Sequence, residues 1–319
     1  MKKLRAMIVL MIFLFLSINC FAVTLTELNG LFVLKSVQQY NPTEGSLVKV
    51  TFNNGNTYGY GYFTLNKRFR IRIKYKGDGI DLNRDEIGGF VLNNDTIDMT
   101  IDATGKEKAS TISLSGSTLT VETDFTDEPD KGYILTMELE KVSNVINKSS
   151  LNIVKGWNLL SVSNFIKPVE DFSSISNSLN TIWQWDATGG KWRVWSPDAN
   201  IQQLISEYKL SSVKEVLAGE GFWVDAKENA VLPVDNYFSF SPEMIFILKT
   251  GWNLCGVVKD ISPSELPDAS NIKTVWQWDT TGGKWRVWSP DSNITKLVSD
   301  YKLETITTLK KLEGFWVNK

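Results

Sequence analysis

No histidine occurs anywhere in the 319 residues. That single absence removes Ser-His-Asp and Cys-His nucleophile pairs and histidine-based zinc or iron sites. Any catalysis is left to carboxylate, lysine or tyrosine chemistry. There are only two cysteines, Cys20 and Cys255. Loss of a leader containing the first would leave a lone thiol and no internal disulfide, so stability must come from the core. Past residue 22 no stretch is apolar enough to span a bilayer, which needs about 20 residues. No glycine-rich phosphate loop, metal-ligand cluster or calcium-loop spacing is present, and no cofactor is expected. No tryptophan occurs before residue 157.

Residues 1–22 carry Lys2, Lys3 and Arg5, then an apolar run from Ala6 to Leu16, then Cys20-Phe21-Ala22. This pattern predicts a secretory signal cleaved after Ala22. Lipidation at Cys20 is the alternative, with Asn19 a poor fit to it. Without the three leader cations, 31 basic residues face 36 acidic ones. No basic face for nucleic acid is implied. The expected location is the periplasm, the cell surface or the medium.

Residues 23–145 repeat a period of two. Phe69, Ile71, Ile73 and Tyr75 alternate with Arg68, Arg70, Arg72 and Lys74, and Ile97, Met99 and Ile101 with Asp98, Thr100 and Asp102. Leu119 and Val121, then Leu135, Met137 and Leu139, continue the pattern. Such strands have one dry and one wet face. Turn residues separate them at Asn53-Asn-Gly55, Lys76-Gly-Asp-Gly79, Asn93-Asn-Asp95 and Ser115-Gly-Ser117. A closed antiparallel barrel or a sandwich is expected. Tyr58, Tyr60 and Tyr62 are read as one strand face or as the lining of a mouth. The inward set carries no charge, so the lumen is either packed solid or open to a small apolar ligand.

Leu28-Asn-Gly-Leu-Phe32, Gly88-Gly-Phe-Val-Leu-Asn-Asn-Asp-Thr-Ile97 and Ser113-Leu-Ser-Gly-Ser-Thr-Leu-Thr-Val121 make this segment resemble the bacterial lipocalin-like (calycin) domains. Phe32 stands where that family's opening motif has tryptophan. The resemblance implies an eight-stranded barrel with an apolar lumen.

All twelve tryptophans lie from residue 157 onward, six in each of two copies of one pattern. The first copy contains Trp183-Gln-Trp-Asp-Ala-Thr-Gly-Gly-Lys-Trp-Arg-Val-Trp-Ser-Pro-Asp-Ala-Asn-Ile201; the second repeats it 93 positions on, from Trp276 to Ile294, with two differences. Each copy has the order Gly-Trp-Asn-Leu, the Trp-Gln-Trp-Asp hairpin, a helix near Ser196-Pro-Asp198 or Ser289-Pro-Asp291, and Gly-Phe-Trp-Val. Ile201, Leu204, Ile205 and Tyr208 fall at helical spacing, as do Ile294, Leu297, Val298 and Tyr301. This order resembles a Trp-rich repeat of exported bacterial surface proteins. The resemblance implies a location and no activity. A linker is expected at 146–150 and copies at 151–234 and 235–319, sharing one core in a pseudo-symmetric, β-rich domain. The whole chain is therefore expected to be mainly β.

The hairpin puts Trp183, Trp185, Trp192 and Val194 on one face, expected to be core. Gln184, Asp186, Arg193 and Trp195 share the other, as do Gln277, Asp279, Arg286 and Trp288. Two readings stay open for that second face: a pair of sugar-binding platforms built on Trp195 and Trp288, or a surface covered by the helix. Acids present in both copies (Asp186/Asp279, Asp198/Asp291, Glu220/Glu313) are the candidates for a glycosidase couple, while Asp85 and Glu86 fall in an expected loop with no partner identifiable by spacing. No catalytic residue is assigned. Expectation thus rests on a non-catalytic exported binding protein, holding a small apolar ligand in the barrel or a surface glycan on the repeats, or else on a structural envelope protein.

Overall fold

A computed structural model describes residues 23–41, 45–51, 58–64, 66–77, 80–124, 134–142, 147–163, 166–236 and 248–319. The leader, Cys20 and the Asn53-Asn-Gly55 turn lie outside the described residues, as does the side chain of Tyr58. The protein is mainly β, in two compact units, one ending at Ser143 and the other beginning at Asn144. Among the described residues no helix is long and apolar enough to cross a membrane.

The first unit opens with a single helical turn, α1 (Leu25–Leu28), closed by a reciprocal capping box between Thr24 and Glu27. Nine strands follow: β1 (Gly30–Asn41), β2 (Ser46–Thr51), β3 (Tyr58–Phe63), β4 (Arg68–Gly77), β5 (Ile80–Asn93), β6 (Thr96–Ile101), β7 (Glu107–Ser115), β8 (Thr118–Asp124) and β9 (Ile134–Lys141). From β3 each strand pairs antiparallel with the next, and β9 returns to β1, closing a barrel of eight. The ninth strand, β2, pairs only with the far half of β1, beyond the stretch that pairs with β3.

A bulge at Lys35 resets the alternation of β1, so Phe32 and Leu34 before it and Val37 after it all join the interior. Phe32, Phe69 and Phe90 pack around Phe63, with T-shaped contacts of 6.0 Å (Phe32–Phe63) and 5.7 Å (Phe63–Phe90). Leu28 of α1 is wholly buried in the same cluster. Glycine at 59 and 61 is required on the inner face of β3: a Cβ at Gly59 would sit 2.5 Å from Leu34, and one at Gly61 3.1 Å from Leu139. Tyr60 and Tyr62 share the other face and are buried.

The wet face expected of β4 is dry in part. Arg70 and Arg72 are 3 % and 2 % exposed. Arg70 holds Asp85 through Nε at 2.9 Å and Nη2 at 2.8 Å. Asp85 and Glu86 thus sit in the long strand β5, not in a loop. Burial opposes ionisation of Asp85, but Arg70 and then Arg72 hold its carboxyl below the usual range.

The second unit begins with β10 (Asn147–Ile153), paired with β18 (Ala230–Asn236). The segment read as a linker is therefore the start of a strand, and Leu151 and Ile153 are core residues. Between them lie β11 (Gly156–Ser161), β12 (Ile166–Pro168), β13 (Leu179–Asp186), β14 (Lys191–Trp195), helix α2 (Ala199–Glu207), β15 (Ser211–Ser212), β16 (Glu215–Leu217) and β17 (Gly221–Ala226). The second copy supplies β19 (Trp252–Gly256), β20 (Thr274–Asp279), β21 (Lys284–Trp288), α3 (Ser292–Asp300), β22 (Glu304–Thr305) and β23 (Gly314–Asn318). Each copy forms the same five-stranded sheet, β11-β17-β13-β14-β15 and β19-β23-β20-β21-β22.

One shared core was expected; among the described residues each copy has a cluster of its own. Phe172, Phe222 and Val224 centre the first, and Ile272, Val275 and Phe315 the second. The helices start two residues later than Ser-Pro suggested. Asp198 and Asp291 are the caps, accepting from Asn200 and Asn293 at 2.8 Å, while Ser196 and Ser289 bind the carbonyls of Asn180 and Lys273. Only Ile205 and Val298 of the helical apolar sets are buried; Tyr208 and Tyr301 stand about three-quarters exposed, at 74 % and 75 %.

Candidate functional site

The invariant hairpin is built by its aspartate. Asp186 Oδ1 accepts from the amides of Thr188 (3.0 Å) and Gly189 (2.9 Å), and Asp279 does the same with Thr281 (3.1 Å) and Gly282 (2.9 Å). The second glycine of each turn, Gly190 or Gly283, has φ near +60°, a conformation costly to residues with a Cβ. The other carboxyl oxygen reaches across the strands to Arg193 or Arg286, 3.0 Å away in both copies. For Asp279 the Gly282 amide leads, burial opposes, and Arg286 adds to it, holding the carboxyl low. For Asp186 burial is the largest influence and raises it, but Gly189 and Arg193 together outweigh it.

The residues share faces as expected: Trp183 pairs with Val194, Gln184 with Arg193, and Trp185 with Trp192. The tryptophan face expected to be core is instead the open one, except at Val194 and Val287, and the second face is the covered one of its two open readings. Ile182 lies on the Gln184 side, opposite Trp195, and is fully buried with Val224. Gln184 and Gln277 are 3 % and 1 % exposed, and their amides donate to Glu220 (2.5 Å) and Glu313 (2.8 Å). Trp195 and Trp288 pack against the two cores. Sugar platforms built on Trp195, Gln184, Arg193 and Asp186, or on Trp288, Gln277, Arg286 and Asp279, are therefore corrected: the amides are inside, the indoles lean on the core, and the ion pairs brace the turns.

The opposite face carries the remaining ten indoles, and none of the twelve tryptophans is buried. They line two grooves. One, of about 490 Å³, is walled by Trp157, Trp183, Trp192, Trp223, Trp278 and Trp285. The other, of about 340 Å³, is walled by Trp185, Trp252, Trp276, Trp285 and Trp316. Both volumes fall in the range of small-molecule and oligomer sites, about 300–1,000 Å³. The rings meet edge to face. Trp185 and Trp192 lie 5.4 Å apart and both reach Trp316, at 6.0 and 5.7 Å; Trp278 and Trp285 lie 5.3 Å apart and both reach Trp223, at 6.3 and 6.0 Å. Trp157 and Trp252 stand at the ends, 49 % and 44 % exposed.

Three indole N–H groups are engaged: Trp183 with Thr181, Trp276 with Thr274, and Trp185 with the Trp252 carbonyl. The other seven in the grooves donate to nothing among the described residues. No charged side chain is among the walls. The grooves thus offer π faces and hydrogen-bond donors only. What sequence reasoning missed was legible in part: in Gly-Phe-Trp-Val the phenylalanine and valine share one face and the tryptophan takes the other.

Among the described residues the barrel offers no comparable space. Its described lumen, walled by Leu34, Phe63, Ile71, Met99, Val121 and Met137 among others, leaves about 10 Å³. That is about the least that holds one water, so among the described residues the lumen is close to the packed alternative of the two readings. Cys255 is a core residue, 4 % exposed, and burial followed by Glu220 pushes its thiol far up. A scan of protein-family models, a search of curated proteins and a search of solved structures each give no match for this chain.

Proposed function

We propose that this is a non-catalytic, exported binding protein whose C-terminal unit holds a neutral glycan in its tryptophan grooves, with the barrel as a ligand-free scaffold. One observation carries the reading: ten part-exposed indoles wall two grooves whose free polar groups are donors. The sugar's flat C–H faces stack on indoles, and its hydroxyl oxygens accept from indole N–H while turning their own protons to water. Walls without carboxylate or cation give no preference to charged ligands. A peptide would leave its backbone N–H groups without acceptors in the groove. Proline-rich segments escape that penalty and form the second reading.

The test is calorimetric titration of cellohexaose, chitohexaose and a proline-rich decapeptide into the mature chain. Glycan binding that disappears in the Trp157→Ala/Trp252→Ala double variant is expected. Uptake of the decapeptide alone overturns the glycan, and no uptake of any probe leaves a structural envelope protein. Binding unaffected by that double variant but lost in Trp195→Phe/Trp288→Phe would return the site to the other face. Export predicts a mature protein beginning at Val23, read by N-terminal sequencing of the secreted material.

A further inference from the structure

The two copies contact each other reciprocally. Ser161 N–H donates to the Leu312 carbonyl at 2.9 Å, and Gly256 N–H, its counterpart, donates to the Gly219 carbonyl at 3.1 Å. Leu160 bridges Glu313, and Cys255 bridges Glu220. Each pair is the other with the copies exchanged, which is the signature of a two-fold axis. The indoles obey the same exchange: Trp316 packs on Trp185 and Trp192, Trp223 on Trp278 and Trp285. Each groove is therefore assembled from both copies, and the copies present it twice.

Two-fold symmetry restricts how a polymer uses such a pair. A glycan strand has a direction, from non-reducing to reducing end. If the axis is perpendicular to the strand, the second groove meets it reversed. If the axis is parallel to the strand, the second groove lies beside the first, on a separate track. In neither case does one straight strand occupy both grooves equivalently. We infer that the C-terminal unit is bivalent, each groove taking its own glycan strand, so that one protein molecule bridges two strands. This rests on the glycan reading above and adds the stoichiometry and the bridging role. Bridging a dense surface raises apparent affinity by about 100-fold or more over a single groove, without new contacts.

Trp157 walls only the larger groove and Trp252 only the smaller one, so the sites are separable. Titration with cellohexaose and chitohexaose is expected to give two bound per wild-type chain, one in Trp157→Ala, one in Trp252→Ala and none in the double variant. Beads coated with the matching polysaccharide should be agglutinated by the wild type. Either single variant, checked as monomeric by light scattering, should coat the beads without joining them. One oligosaccharide per wild-type chain, or agglutination by monomeric single variants, overturns bivalency alone. No uptake of either sugar by the wild type removes the glycan reading and bivalency together.

Discussion

Ser161 and Gly256 are counterparts in the two copies, and they meet each other where the copies join: a Cβ built on Gly256 would lie 2.0 Å from the Ser161 Cβ. Only one of the two positions has room for a side chain. Gly256→Ala is expected to destabilise the C-terminal unit by about 1–3 kcal/mol through overpacking. Ser161→Gly in the same chain should recover most of the loss, since the next neighbour, the Glu220 carbonyl, lies at 3.1 Å. Urea titration of the single and double variants measures both. Failure of Ser161→Gly to compensate would show that the crowding lies elsewhere.

Asn158 and Asn253 staple the turn before the first strand of each copy. Asn158 accepts from Val154 N–H (3.0 Å) and donates to the carbonyls of Val154 (2.7 Å) and Gly156 (2.9 Å); Asn253 repeats this with Lys249 and Gly251. Gly156 and Gly251 stand at φ +95° and +94° within it. Asn158→Ala should cost about 1–3 kcal/mol, because buried backbone groups lose their partners. A loss under about 0.5 kcal/mol, the range of inert surface changes, would mean that water replaces the amide.

Asp186 and Asp279 have carboxyls held below their unfolded value. Their contribution is present above the unfolded pKa of about 3.9 and is lost as pH falls through the lower folded value. Asp279→Asn keeps an acceptor for Thr281 and Gly282 but loses the charge facing Arg286. It should lower stability at neutral pH and flatten the acid limb of a plot of melting temperature against pH. An unchanged acid limb would assign that limb to other carboxylates.

Glu313 works in the other direction. Burial raises its pKa, against the pull of Lys310 and Arg286, so stability is full below the ordinary glutamate value and declines as pH rises through the raised one. Its partner Gln277 also keeps a buried carbonyl oxygen with no hydrogen bond. Glu313→Gln supplies an amide donor for that oxygen while keeping an acceptor for the Gln277 amide. We expect equal or higher stability at pH 7 and no decline above the ordinary glutamate value. A clear loss at pH 7 would mean that the charge is needed where it stands.

In the barrel, Phe63→Ala removes a ring touching Phe32, Phe69 and Phe90. With a filled lumen there is no slack, so a loss of about 3–5 kcal/mol is expected. Differential scanning calorimetry resolves it if the two units unfold separately. Xenon or benzene should stabilise the variant and leave the wild type unaffected. A wild-type response would reveal space in the lumen.

The sequence made much of the scaffold legible. Alternation at Phe69, Ile71 and Ile73 marked the inner face of β4, and the Thr188-Gly-Gly190 turn showed which hairpin residues share a face. Two things were not readable. Period two divides residues into two sets without saying which set faces the core, and the usual burial of tryptophan pointed to the wrong one at Trp183 and Trp185. Ile182, on the side of Gln184, was the residue that decides it. Nor does alternation count the volume left inside a closed barrel, because filling depends on how Phe63, Met99 and Met137 interlock. The pairing of Arg70 with Asp85 across 15 positions was equally hidden, since strand partners are set by topology.

Indoles in contact at 5.3–6.3 Å share their electronic transitions. Trp223 and Trp316 each touch one indole of their own copy, Trp157 and Trp252, and two of the other copy, so docking of one half on the other adds its own contribution to the circular-dichroism couplet. The chain thus comes with a built-in optical reporter. Separation of the halves should be visible in ultraviolet light before either half melts, with no label attached.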